Sequence, residues 1–95
     1  MGDDNRVIAH NAEVDYQAYR ILQNYHDGIV KSKGEEQALR LELKKAKEDY
    51  DAGRMSFDDY VEFREATENA IRENRMDRIE AYRDVIAAHL KIQLV

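Results

Sequence analysis

The sequence predicts an all-α protein: an elongated, coiled-coil-like antiparallel hairpin of two long helices joined by a short turn near residues 52–55. Three observations carry that expectation. None of the 95 residues is proline, so nothing forbids long uninterrupted helices. Apolar residues recur at threes and fours on both sides of a single break. The break itself, running from Tyr50 to Tyr60, holds the residues that stop one helix and start another.

The first helix is expected over about residues 6–51. Ile8, Ala18, Leu22, Tyr25, Ile29, Leu39, Leu43, Ala46 and Tyr50 follow a heptad-like register. Val7, Val14 and Ile21 add a flanking stripe seven residues apart, wider than a two-stranded seam requires. Asn11, Asp15, Ser32 and Glu36 interrupt the register. Gly28 and Gly34 weaken the middle, each by about 1 kcal/mol relative to alanine. A bend or break near 28–34 would give three helices; one long helix with a weak middle is the favoured reading.

Gly53 ends this helix, because it takes a left-handed conformation without a side-chain clash. Ser56 caps the next helix, and Asp58 and Asp59 place negative charge at its positive end. The second helix is expected over 56–93. Phe57, Tyr60, Val61, Phe63, Ala66, Ala70 and Ile71 form its first apolar face. Ile79, Tyr82, Val85, Ile86, Leu90 and Ile92 form its second, with Asn74, Arg75 and Arg78 falling between. Residues 1–95 thus read as a single hairpin, and its spare apolar faces imply partners: copies of itself or missing parts of a larger protein. The carboxyl end, Lys91 to Val95, has no polar tail, which favours the expectation of a fragment.

Composition narrows the function. Charged residues make up 37% and there is no tryptophan, which suits a narrow buried seam and not a deep core. A net charge of −5 with interspersed signs leaves no basic stripe for nucleic acid. Around Lys44, Lys45 and Lys47 the basic charge is offset by Glu42 and Glu48. The longest apolar run, Val85-Ile86-Ala87-Ala88, is far short of a membrane span, and the first residues do not resemble a signal peptide. No cysteine is available for disulfide or thiolate chemistry.

An enzyme is not expected. His10, His26 and His89 lie far apart, no phosphate loop or nucleophile elbow is present, and no metal or cofactor is implied. Gly53 to Asp59 has the outline of the second half of an EF-hand. Tyr50 and Ala52 would then stand where calcium needs side-chain oxygens, and Asp59 would replace the closing glutamate.

A larger part of the chain resembles the outer-membrane efflux proteins of the TolC-like family. Near the C-terminus of these proteins a long helix ends in a pattern matched here by Ala46, Tyr50, Gly53, Ser56, Asp59 and Tyr60-Val61. Asn69-Ala70, Ala81-Tyr82 and Ala87-Ala88-His89-Leu90 match the helix that follows, and Val14, Ala18-Tyr19, Leu22 and Ile29 match the helix before. The resemblance covers residues 7–92; the stretch Arg72 to Arg78 is more charged than the family pattern. It implies a non-catalytic hairpin of a periplasmic helical barrel, outer-membrane-associated and homo-oligomeric. It also implies that Gly53, Arg54, Met55 and Ser56 form a tip facing a periplasmic adaptor protein, with Tyr50 and Asp59 as turn and cap residues. Arg54 and Met55 stand out, since a turn needs neither a guanidinium nor a thioether. Two other readings are a small soluble coiled-coil adaptor or oligomerisation module, and a degenerate calcium binder.

Overall fold

In a computed structural model, described over residues 2–93 for the backbone and 11–92 for side-chain surroundings, the chain forms two helices. Helix α1 spans Gly2–Asp51 and α2 spans Phe57–Gln93, and no strand occurs among the described residues. The protein is therefore an all-α antiparallel hairpin. Helix α1 begins at Gly2, earlier than the apolar register suggested, and it passes through Gly28 and Gly34 without a break. Both glycines are exposed, and a Cβ on either would meet nothing within 4 Å. They cost helix propensity without serving any packing need.

The chain divides into two compact units, Ile29–Ile79 around the turn, and Met1–Gly28 with Glu80–Val95. In the turn unit, α1 buries or half-buries Ile29, Ser32, Glu36, Leu39, Leu43, Ala46 and Tyr50, while α2 supplies Tyr60, Phe63, Thr67, Ala70, Ile71, Asn74 and Arg78. Only Ala46, Thr67 and Ile71 are buried among the described residues, so the seam is one side chain deep. Small side chains, Ala46 and Ala70, sit in this seam, and Tyr50 and Tyr60 stack across it near the turn.

In the terminal unit the packed rows are Val14, Ala18, Ile21 and Tyr25 on α1 against Ala81, Val85, Ala88 and Ile92 on α2. This corrects the expected register. Leu22 is 51% exposed, and Val14 and Ile21 take the seam. Tyr82, Ile86 and Leu90 likewise lie outside, as do Phe57, Ala66 and Ile79 in the turn unit. The physical reason is the width of the apolar stripe. One partner helix covers only part of it, and on α2 the small Ala81 and Ala88 face the seam where Tyr82 and Leu90 were expected. Asn11 and Asp15 are exposed and interrupt nothing. The side chains of Val7, Ile8 and His10 lie outside the described residues.

Among the described residues, Gly53 alone has a positive φ, 77°. Gly53→Ala should therefore destabilise the hairpin by about 1 kcal/mol, whereas Gly28→Ala and Gly34→Ala should each stabilise it by a similar amount. Urea denaturation of the three variants checks the signs, and a stabilised Gly53→Ala would show that the left-handed turn is not required.

Candidate functional site

Two polar features stand out: the turn, and a polar layer inside the seam. At the turn, the Gly53 N–H donates to Tyr50 O at 3.0 Å and the Arg54 N–H to Asp49 O at 2.8 Å. This pair of bonds is the Schellman arrangement, with glycine at its left-handed position. Ser56 then caps α2: its Oγ accepts the Asp59 N–H at 3.1 Å, and its carbonyl accepts the Tyr60 N–H at 3.0 Å. Asp58 and Asp59 occupy the first turn of α2. Beneath the turn, Tyr50 stacks on Tyr60 with ring centroids 5.1 Å apart and meets Phe57 at a tilt, 5.9 Å away.

All six residues singled out in the sequence thus meet within one short segment. Arg54 and Met55 have local work there. The Arg54 guanidinium folds back on Asp49 Oδ1, with Nη2 at 2.9 Å and Nε at 3.0 Å. Met55 is half-buried and shares a shallow groove with Ala46 and Phe63. Gly53, Arg54 and Ser56 are exposed. Residues 48–51 are helical and only 52–56 separate the helices, so a twelve-residue calcium loop is not formed.

The polar layer is not visible as a unit in the linear sequence, where its members look like interruptions of two separate helices. Glu36 lies in the α1 seam with its side chain 15% exposed. Its Oε1 accepts from Arg75 Nε at 2.8 Å and Arg78 Nη2 at 2.8 Å, and its Oε2 from Arg40 Nε at 3.1 Å. Arg78 also donates to Ser32 Oγ at 3.2 Å and to Asn74 Oδ1. Ser32 donates to Asn74 Oδ1 at 3.1 Å. Hydrogen bonds from Arg75 first, then Arg78 and Arg40, hold the Glu36 carboxyl down at about 2. The same bond raises Arg75 further. A signal for this layer did exist: Ser32 lies 21 residues before Gly53 and Asn74 lies 21 after, so the interruptions in the two helices face each other when the chain folds back.

His26 is exposed, and His89 is half-buried with an Nδ1 that has no partner among the described residues. No group of three or more metal-ligating side chains occurs among the described residues. Nor, among them, is any helix long and apolar enough to cross a membrane. No family model, no curated protein and no solved structure matches this chain.

Two outcomes follow from this geometry. Because the Glu36 pKa is depressed in the folded state, its stabilisation is full above about 4.5 and is lost as pH falls towards about 2. Denaturant titrations from pH 6 to pH 2 should show that loss, and Glu36→Gln should remove this part of the slope. At the turn, Arg54→Glu should cost less than about 1 kcal/mol, because its ion pair is exposed. Met55→Asp should cost about 1–2 kcal/mol by placing a charge against Ala46 and Phe63. Equal melting temperatures for the two variants would mean that Met55 does not pack.

Proposed function

We propose that this chain is a non-catalytic packing element, a helical hairpin that works by binding other helices along its flanks, first of all those of its own copies. The observation that supports this reading is the asymmetry of the terminal unit. The position after each seam residue lies about 100° round the helix, and in an antiparallel pair such positions from both helices share one flank. There they are Tyr19 and Leu22 on α1, and Tyr82 and Ile86 on α2, each at least 41% exposed. The opposite flank is a groove whose floor is Val14, Ile21, Ala88 and Ile92. Protruding apolar side chains and an apolar groove on one unit form a self-complementary pair.

The specific form of this proposal is a hairpin of a TolC-like efflux channel, placed in a periplasmic barrel with Gly53 to Ser56 directed at an adaptor protein. It draws support from the sequence pattern around Gly53 and from two flanks suited to side-by-side packing. A free-standing soluble oligomerisation module would use the same flanks.

The test is Leu22→Glu with Ile86→Glu. Both side chains are exposed, so circular dichroism should keep its helical signal, while sedimentation velocity over a dilution series should show the association of the wild-type protein lost. A wild-type chain that stays monomeric throughout, or a variant that associates as strongly, would overturn the reading.

A further inference from the structure

We infer that the turn unit carries a second, electrostatic docking device: a basic groove on one flank that receives the acidic flank of another copy of the same chain. The inference rests on the packing role proposed above but on different residues and a different force.

Two helices packed along one seam leave one groove on each side. In the turn unit the groove beside Leu43 and Tyr60 is lined by Arg40, Lys44, Lys47 and Arg64, with Glu68 the single carboxylate. All four cations lie one position after a seam residue: Leu39, Leu43, Ala46 and Phe63. The opposite side reverses the sign. Glu35, Glu73 and Asp77 line a groove over Leu39 and Ala70. Glu42 and Asp49 line its neighbour by Ala46, where Lys45 is the single cation. These five carboxylates lie one position before Glu36, Asn74, Arg78, Leu43 and Tyr50. The chain's net charge of −5 conceals this division, since the two rows nearly cancel.

Internal ion pairs engage part of each row. Arg40 is shared with Glu36, Arg64 pairs with Glu68, Lys47 with Asp51 and Asp49 with Arg54. Lys44, Glu42, Glu73 and Asp77 make no salt bridge among the described residues.

The occupant follows from the division. A two-fold dimer through either flank would set like charge against like, at a cost that steers pairing away from it. Basic flank against acidic flank is a heterologous contact, which repeats from copy to copy and closes into a ring or extends as a stack. Both charged flanks belong to the unit around Gly53, and Glu42 falls between Arg40 and Lys44 in the chain. Neighbouring copies therefore meet with their turns on the same side and at the same level.

The experiment uses two charge-reversed variants, Lys44→Glu with Arg64→Glu and Glu42→Lys with Glu73→Lys, followed by sedimentation velocity and native mass spectrometry. Each variant alone should associate roughly tenfold or more weakly than wild type, because reversing two charges leaves the altered flank without a sign opposite to that of the other flank. An equimolar mixture of the two should restore association in alternating copies. Wild-type association should weaken between about 0.01 M and about 1 M salt as the screening length shrinks. Variants that associate like wild type, or a mixture that fails to recover while both remain helical, would overturn the inference. Those failures leave the packing role standing if association persists in high salt and disappears in Leu22→Glu with Ile86→Glu. If wild type is monomeric at every salt concentration, both fall together.

Discussion

Glu36 is a carboxylate in the middle of a seam that is only one side chain deep, and the register of the turn unit depends on how it is satisfied. Three arginines from two helices converge on its two oxygens, and Ser32 and Asn74 complete the layer around Arg78. Sliding α2 by seven residues would set this layer against Thr67 and Ile71 in one direction, or Ala81 and Val85 in the other. Those residues offer the Glu36 carboxylate at most one hydroxyl. Apolar rows of similar spacing tolerate such slips, whereas a charge needs its partner. The layer thus selects one alignment from several that hydrophobic packing alone would accept.

The turn sets the same alignment from the other end. A Schellman arrangement at Gly53 and a serine cap at Ser56 leave the chain little freedom between helices, and stacking of Tyr50 on Tyr60 fixes the first contact beyond them. Turn and polar layer agree on register, which is the consistency between local and long-range preferences that specifies a single fold. With register held by these two devices, the rest of the surface is free to vary. The apolar protrusions of the terminal unit and the opposed charges of the turn unit stand outside the seam, where they add little to folding.

The two helices, the stop at Gly53 and the cap at Ser56 were legible because each rests on a local rule: periodicity, absence of proline, a left-handed glycine, a hydroxyl at a helix start. The choice of seam was not legible in the terminal half. Leu22 and Ile21 are adjacent in sequence, equally apolar and of equal size, and periodicity alone does not choose between them. Arg54 and Met55 stood out as more than a turn needs, yet their partners Asp49, Ala46 and Phe63 become visible only once the helices are placed.

By itself, the sequence determined a pair of long helices, their meeting point and the excess of apolar surface over what one partner can cover. These follow from interactions within a few residues along the chain, or from composition. Only the tertiary structure decided which stripe is buried, that Ser32 and Glu36 answer Asn74 and Arg78, and that charge divides by flank. Each of those depends on which side of one helix faces the other. A rotation of one position about the helix axis, about 100°, exchanges a seam residue for its neighbour, and only packing the second helix fixes that angle.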